Sequence, residues 1–467
     1  MNPLKKIIPI TLIFLGLFCF GELVFPEGMF TVLQQRVMAI FILATLLWVS
    51  DVVPAFATSL LIIMLLVLTA SNSAPFPLRA ALGDDMLNYT TIFNSLASPV
   101  IVLFLGGFFI ALACAKYKVD INLARVLLKP FGQKYEIVML GVMIITAVFS
   151  MFMSNTATSV MMLTIMTPLV ARMDSEDPGC RAMVLSIPIA ANLGGMGTPI
   201  GTPPNAIAFR YFVGEYALSF GGWMLFAVPI TVIMIAFSWW LLQKMYPSRG
   251  GDLDVQIEGR FEKGLKPYIV YAVMTLTILL WVFSSVHGIN AYAVAMIPVA
   301  VFSLCGIVDK HDLKLISWDV LWLLAGGIAI GTALASSGLA SLIVSMVPFE
   351  QFGAVTVILG ISVLSMVMAT FMSHTATANL LMPIAISMST SVASIQDMGG
   401  LVVIGTAVAL ASSLGMGLPI STPPNALAHA TGLVATKDFI RTARVLSPLG
   451  VLLIFAVLIM MTSMGFF

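Results

Sequence analysis

Two short polar segments lie inside otherwise apolar stretches of the sequence and nearly repeat each other. The first reads MFMSNTATSVMML from residue 151, and the second reads TFMSHTATANLLM from residue 370. Hydroxyl, amide and imidazole groups donate and accept hydrogen bonds without needing a fixed charge. The residues concerned are Ser154, Asn155 and Thr156 in the first segment and Ser373, His374 and Thr375 in the second.

Each polar segment is predicted to form the tip between two helices. The start of a helix leaves backbone N–H groups unpaired and carries the positive end of the helix dipole. Such a tip attracts carboxylate or phosphate oxygens. The competing interpretation is that the serines and threonines only bond back to carbonyl groups of their own helix. Two aligned copies, each followed by a TPPN sequence at 202–205 or 422–425, favour ligand binding.

The two TPPN sequences predict broken helices. Proline has no backbone N–H, so a Pro-Pro pair interrupts a helix and frees preceding carbonyl groups. Glycines just upstream permit an unwound backbone, and such a break at membrane depth is tolerated where it is buried in protein or lines a cavity. A plain kink is the alternative. The duplication favours a site in which freed carbonyls bind a hard cation such as Na⁺, with side-chain polarity from Thr202, Asn205, Thr422 and Asn425.

Missing residue types narrow the chemistry further. No predicted membrane span has a Lys, Arg, Asp or Glu near its middle, which argues against a carboxylate proton relay or an arginine clamp. The sequence contains no hydrolase elbow, zinc-protease motif or phosphate loop, which argues against an enzyme. The four cysteines are scattered without the spacing of a metal site or a disulfide framework. A bound anion would therefore rely on neutral donors, helix N-termini and co-bound cations.

The composition places these segments in a membrane. Of 467 residues, 60% are hydrophobic and 9% are charged, with a mean hydropathy of +1.06. Soluble domains carry about 25% charged residues, so the lipid bilayer is the expected surrounding. The net charge of +1 argues against a nucleic-acid partner.

The apolar pattern predicts an all-α polytopic membrane protein. A span needs about 20 mostly apolar residues, and about eleven segments qualify. The stretches 135–171 and 352–393 each have two short apolar arms around a polar tip, which favours re-entrant hairpins. The predicted spans lie near 7–25, 35–50, 52–70, 97–115, 183–212, 223–244, 267–286, 290–308, 318–338, 400–434 and 445–466.

The distribution of positive charge predicts a cytoplasmic N-terminus. With both hairpins returning to their own side, 19 of the 22 Lys and Arg residues fall on the inner side, leaving only Arg36, Arg79 and Arg210 elsewhere. The N-terminal apolar run has no evident cleavage site and is interpreted as a retained helix. We expect a plasma membrane location, in a bacterium the inner membrane.

The sequence contains an internal repeat of two similar halves. Three blocks recur in the same order 219 or 220 residues later. They are the glycine-rich segment 105–111, the polar tip and the segment 194–208 that contains TPPN. The predicted halves are 1–245 and 267–467, joined by a cytoplasmic linker at 246–266. Because the hairpins enter from opposite sides, the halves are inverted, an architecture in which transporters bind substrate at the midplane.

The paired tips and TPPN sequences resemble those of the divalent anion:sodium symporter family, relatives of citrate and dicarboxylate carriers, over essentially the whole chain. The resemblance implies an elevator-type homodimer whose hairpins and broken helices form a moving transport domain, with a scaffold domain built from the remaining helices. It implies Na⁺-coupled import of C4-dicarboxylates such as succinate, fumarate or malate, with no organic cofactor. Dicarboxylate exchange and uptake of sulfate or another small anion are alternatives, and an anion channel is a more remote one.

The resemblance also implies the site residues. The substrate contacts both tips and the residues that open each TPPN: Ser154, Asn155, Thr156, Thr202, Pro203, Ser373, His374, Thr375, Thr422 and Pro423. The first Na⁺ site comprises Ser150, Ser154, Asn155 and the carbonyl group of Gly201, and all these residue types are kept. The second Na⁺ site departs from the family, because His374 replaces an asparagine and Ala369 replaces a hydroxyl residue. Its remaining candidates are Thr370, His374 and Ser421.

His374 has three interpretations. A neutral imidazole presents one donor and one acceptor and can replace the amide, which predicts ordinary symport. A protonated imidazole would supply the charge of a second Na⁺, which predicts weaker sodium dependence, pH dependence or obligatory exchange. The third interpretation is a histidine that packs beside the site and touches nothing.

Overall fold

The computed structural model describes residues 4–24, 26, 28–174, 176–251, 253 and 263–467. Within these residues the secondary structure is helical, apart from an isolated bridge between Ser71 and Leu87. Eight described helices are long and apolar enough to cross a membrane, and five shorter apolar helices accompany them. The all-α polytopic membrane fold is thereby confirmed, and the number of about eleven spans stays a prediction.

The part of the first half that the structure describes contains twelve α-helices. They are α1 (Leu4–Val24), α2 (Val32–Ser50), α3 (Ala55–Ala70), α4 (Phe76–Ala80), α5 (Tyr89–Phe93), α6 (Pro99–Lys116), α7 (Val119–Leu128), α8 (Tyr135–Phe152), α9 (Asn155–Val170), α10 (Pro178–Gly195), α11 (Pro203–Phe209) and α12 (Phe220–Met245).

The described part of the second half contains eleven. They are α13 (Leu265–Val282), α14 (Ser284–His287), α15 (Ala291–Leu304), α16 (Trp318–Ser336), α17 (Leu339–Ser345), α18 (Gly353–Phe371), α19 (His374–Ser391), α20 (Ala393–Gln396), α21 (Gly400–Ser413), α22 (Pro423–Ala430) and α23 (Thr436–Ser463).

Both predicted hairpins are pairs of helices that turn at the polar tip. Met153 and Met372 adopt extended backbone, so α8 and α18 end there, and α9 and α19 begin directly after Ser154 and Ser373. The arms contain 18 and 16 residues in the first hairpin and 19 and 18 in the second. At 1.5 Å per residue an arm is about 24–29 Å long, which is longer than the short arms expected from the sequence.

Both predicted breaks fall immediately before the Pro-Pro pairs. Helix α10 ends at Gly195 and α11 begins at Pro203, while α21 ends at Ser413 and α22 begins at Pro423. Proline suits the first position of a helix because its missing N–H would have no partner there. Seven residues in the first half and nine in the second therefore run between helices in non-helical backbone.

The two halves interlock around these breaks. Helix α10 packs on α8 and α9, and α21 packs on α18 and α19. The short segment after each break crosses over, so that α11 packs against α19 and α22 packs against α9. Each hairpin therefore contacts the broken helix of its own half and that of the other half.

The division into halves is described only in part. Helix α12 ends at Met245, directly before the predicted linker, and α13 begins at Leu265, so the last two residues of the predicted linker are helical. Residues 252 and 254–262 of the linker lie outside the described residues. The inverted halves, the linker and the transport and scaffold domains stay predictions.

Candidate ligand and cation site

The first tip presents its serine without a capping bond. Ser154 is the N-cap residue of α9, and its side chain makes no hydrogen bond to the described backbone of that helix. Ser154, Asn155 and Thr156 are all half-buried. The tip therefore keeps a hydroxyl and the first backbone N–H groups of α9 close to a partly open surface.

Asn155 is fixed by a neighbour on the other arm. The Ser150 Oγ atom lies 2.5 Å from Asn155 Oδ1 and 2.8 Å from the carbonyl oxygen of Ala191. Ser150 is fully buried and has one hydroxyl hydrogen, so its oxygen keeps lone pairs for another partner. The hairpin and α10 are thereby joined at the point where the tip begins.

Oxygen atoms converge beside Gly195. A Cβ atom at Gly195 would lie 2.7 Å from Asn155 Oδ1, 2.9 Å from Asn155 Nδ2 and 3.1 Å from the carbonyl oxygen of Gly201. Only glycine leaves this space open. Three members of the predicted first Na⁺ site, Ser150, Asn155 and Gly201, are thus brought together, and Ser154 precedes Asn155. Neutral oxygen ligands of this kind suit a hard cation.

Asn205 has a different role from the one expected. Its Nδ2 atom lies 3.0, 3.2 and 2.8 Å from the carbonyl oxygens of Gly195, Met196 and Thr198. These carbonyls were expected to be free for a cation, but the amide of Asn205 binds them. In the second half, Asn425 Nδ2 lies 2.9 Å from the carbonyl oxygens of Met416 and Leu418. Both asparagines stabilise the unwound backbone.

The second tip is arranged differently. Ser373 is exposed, and its Oγ accepts a hydrogen bond from the Ala376 N–H at 3.1 Å. His374 and Thr375 are each only 8% exposed. His374 Nε2 lies 2.9 Å from the carbonyl oxygen of Gly415, the glycine that corresponds to Gly195. The imidazole therefore contacts the break, and the interpretation of a histidine without a polar partner loses support.

The residues predicted for a second cation site bond to one another. Ser421 Oγ donates to the backbone carbonyl of Thr370 at 2.6 Å, and Thr370 Oγ1 donates to the carbonyl of Met366 at 2.9 Å. Ala369, which corresponds to Ser150, is fully buried and offers only a methyl group. The side chains in this half do not fit a hard cation as those of the first half do.

The structure shows one contact between the halves that sequence reasoning missed. Asn192 Nδ2 lies 3.3 Å from Thr422 Oγ1 and 3.2 Å from Asn425 Oδ1. Asn192 is 1% exposed, and its Oδ1 has no partner among the described residues. The sequence signal for this contact was a single amide in an apolar helix, two residues before the Gly194-Gly195 pair.

The remaining predicted substrate residues lie at the two breaks. Thr202 and Thr422 are buried, Pro203 is half-buried and Pro423 is exposed. Among the residues that the structure describes, no three His, Cys, Asp or Glu side chains form a cluster suited to a transition metal.

Comparison with known proteins identifies the family. The family model for citrate transporters matches residues 45–405. The chain belongs to this family. The match confirms the resemblance seen at the tips and breaks. Together with the eight long apolar helices, it makes the chain a multi-pass membrane protein of a transporter family rather than of an enzyme family.

Two relatives carry different substrates in their names. The sodium-dependent dicarboxylate transporter SdcS of Staphylococcus saprophyticus is 28% identical over 440 residues, which is 86% of this chain and 81% of SdcS. The inorganic phosphate transporter PHO87 of Saccharomyces cerevisiae is 29% identical over 407 residues, which is 85% of this chain and 43% of PHO87. The chain spans less than half the length of the fungal relatives that it matches.

A solved structure shares the fold. The crystal structure of the YdaH transporter of Alcanivorax borkumensis superposes with a TM-score of 0.57 at 14% identity, covering 88% of this chain and 99% of that one.

Proposed function

We propose that this protein is a secondary active transporter that imports C4-dicarboxylates such as succinate, fumarate and malate together with Na⁺. The observation that carries the proposal is the cluster of Asn155, Ser150 and the Gly201 carbonyl group around Gly195. This cluster supplies oxygen ligands for a cation directly beside the N-terminus of α9. A bound cation there would lower the cost of holding an anion in apolar surroundings.

The substrate is proposed to lie between the two tips. Ser154, Asn155 and Thr156 would bind one carboxylate, and Ser373, His374 and Thr375 the other, with Thr202, Pro203, Thr422 and Pro423 completing the walls. None of these side chains is a fixed cation, so affinity must come from several neutral donors. A hydrogen bond to a charged group contributes about 1.5–3 kcal/mol, which is enough when several converge.

The names of the relatives support the substrate class in part. SdcS is named for sodium and dicarboxylate, and its alignment covers most of both chains. PHO87 is named for inorganic phosphate, which keeps a small inorganic dianion as the second candidate. Both substrates offer at least two negatively charged oxygens to helix N-termini.

The assembly and motion are proposed together with the substrate. We expect a homodimer in the plasma membrane with cytoplasmic N-termini, in which hairpins and broken helices move against the remaining helices. The interlocked packing of α11 on α19 and of α22 on α9 supports the joint motion of these elements.

Uptake of labelled succinate into proteoliposomes tests the proposal. One set of vesicles receives an inward Na⁺ gradient, and a second set, free of Na⁺, is preloaded with unlabelled succinate. Phosphate, sulfate and citrate serve as competitors in the first set. We expect accumulation driven by the Na⁺ gradient and strongest competition from other C4-dicarboxylates.

Three other results would contradict parts of the proposal. Uptake only into preloaded vesicles would make the protein an exchanger. If phosphate inhibited the uptake of labelled succinate at lower concentrations than unlabelled succinate does, the preferred substrate would be an inorganic anion. Flux that follows the membrane potential without saturating would indicate an anion channel.

A further inference from the structure

We infer that the second half of the site holds a hydrogen-bond donor where the first half holds a cation, so that each chain binds one Na⁺ and not two. This inference rests on the proposed function. Its starting point is the pairing of the halves, in which Ser150, Asn155, Gly195 and Gly201 correspond to Ala369, His374, Gly415 and Ser421.

The space beside the paired glycines differs between the halves. Beside Gly195, the nearest atoms to a Cβ would be the two amide atoms of Asn155 and the carbonyl oxygen of Gly201. Beside Gly415, they would be the carbonyl carbon and Cβ of Ala369, each at 2.5 Å, and the backbone nitrogen of Thr370 at 2.7 Å. Two of the three nearest atoms are oxygens in the first space, and none is an oxygen in the second. Hard cations take oxygen ligands.

His374 uses one ring nitrogen to bind the Gly415 carbonyl group, where Asn155 in the first half offers an amide oxygen beside Gly195. Its Nε2 atom is 2.9 Å from the Gly415 carbonyl oxygen, which is only an acceptor, so Nε2 carries the hydrogen. The ring is almost wholly buried. The N–H hydrogen thus provides the positive partner of this carbonyl without an ion.

The hydroxyl groups of the second half are bound to α18. Ser421 Oγ donates to the Thr370 carbonyl, and Thr370 Oγ1 donates to the Met366 carbonyl. Ser421 Oγ also accepts from the Leu418 N–H at 3.1 Å. These bonds join the second break to its hairpin, as the bond from Thr198 Oγ1 to the Met151 carbonyl joins the first break to its own hairpin. The halves therefore differ at positions 369 and 374 and not in how each break is attached.

The experiment measures Na⁺ binding to purified protein in detergent with radioactive Na⁺ at saturation. We expect one Na⁺ per chain. Ser150→Ala and Asn155→Ala should each abolish binding or weaken it at least tenfold. In proteoliposomes, the initial rate of succinate uptake should depend on Na⁺ with a Hill coefficient near one.

A designed second site provides the positive test. The double variant Ala369→Ser, His374→Asn gives these two positions the residue types of Ser150 and Asn155, and we expect it to bind two Na⁺ per chain. His429→Asn, at an exposed position on α22, is the matched control and should still bind one. An apparent Tm in detergent within a few degrees of the parent protein confirms that each variant is folded.

The possible results separate this inference from the proposed function. Two Na⁺ per unmodified chain, or one Na⁺ that survives Asn155→Ala, would overturn the inference while leaving sodium-coupled transport intact. No Na⁺ binding at all would overturn both. A folded double variant that still binds one Na⁺ would show that His374 and Ala369 do not decide the number of ions.

Discussion

At the scale of single residues, the two halves of the site differ in which threonine is already hydrogen-bonded. Thr422 Oγ1 accepts from the Asn425 N–H at 3.2 Å and from Asn192 Nδ2 at 3.3 Å. Thr202 occupies the corresponding N-cap position and makes no side-chain bond to the described backbone of α11. Thr422 therefore stabilises the contact between the halves, and we propose that the Thr202 hydroxyl binds the substrate.

Replacing each threonine by valine separates these roles. Thr422→Val leaves the buried Asn425 N–H without an acceptor, at about 1–3 kcal/mol, and leaves Asn192 Nδ2 with only Asn425 Oδ1. It should lower the apparent Tm in detergent by several degrees. Thr202→Val should leave the apparent Tm unchanged and raise the KM for succinate roughly tenfold, the effect of losing one hydrogen bond to a carboxylate. An equal loss of Tm in both variants would contradict this assignment.

At the scale of elements, glycines set how closely the broken helices approach the hairpins. A Cβ at Gly194 would lie 2.5 Å from Cα and 2.8 Å from the carbonyl carbon of Ala147 on α8. Backbone atoms in two packed helices have no room to yield, so α10 and α8 would have to separate. Their separation would also move Ser150 away from its partners on α10 and the tip.

A pair of glycine-to-alanine variants tests this packing. Gly194→Ala should destabilise the protein by about 1–3 kcal/mol, the usual cost of overpacking, and should weaken Na⁺ binding because the cluster at Gly195 is displaced. Gly360→Ala is the control, because a Cβ there meets nothing within 4 Å and alanine favours the helix. Equal apparent Tm values for the two variants would contradict the close packing of α8 and α10.

Much of this arrangement could be predicted from the sequence because it depends on local rules. The helix ends at Met153 and Met372 follow from polar tips in apolar runs, and the breaks follow from Pro-Pro. The roles of Asn205 and Asn192 could not, because they depend on which carbonyl or hydroxyl group the folded chain brings near each amide. The sequence shows that each TPPN carries polar side chains, but the groups that these side chains bind are set by the tertiary structure.

At the scale of the whole molecule, the two similar halves differ in how the second hairpin arm packs on the glycine-containing helix of its own half. Asn379 on α19 is buried and donates to the Leu323 carbonyl on α16 at 3.2 Å, and its amide fills the space beside Gly327. The corresponding residue on α9, Val160, is 45% exposed. The corresponding glycine on α6, Gly107, has only Ile200 Cδ1 near a Cβ position, at 3.8 Å.

In the opposite state of an alternating-access cycle, the halves exchange arrangements. Val160 should then pack against Gly107 as Asn379 packs against Gly327 in this structure. In a background without Cys19, Cys114, Cys180 and Cys305, the double variant Val160→Cys, Gly107→Cys should form an oxidative cross-link during transport. The cross-link should stop succinate uptake, and a reductant should restore it. The single cysteine variants are the controls. Failure to cross-link in a variant that still transports would contradict a motion related by the internal repeat.

The central claim is that the first tip binds the coupling ion and the substrate. The most direct measurement is Na⁺-driven uptake of labelled succinate by Asn155→Ala beside Thr164→Ala, whose exposed hydroxyl on the same helix bonds only to the Val160 carbonyl among described groups. We predict background uptake for Asn155→Ala and nearly unchanged uptake for Thr164→Ala, at equal expression and apparent Tm. Na⁺-driven uptake at the parent rate by Asn155→Ala would contradict the account.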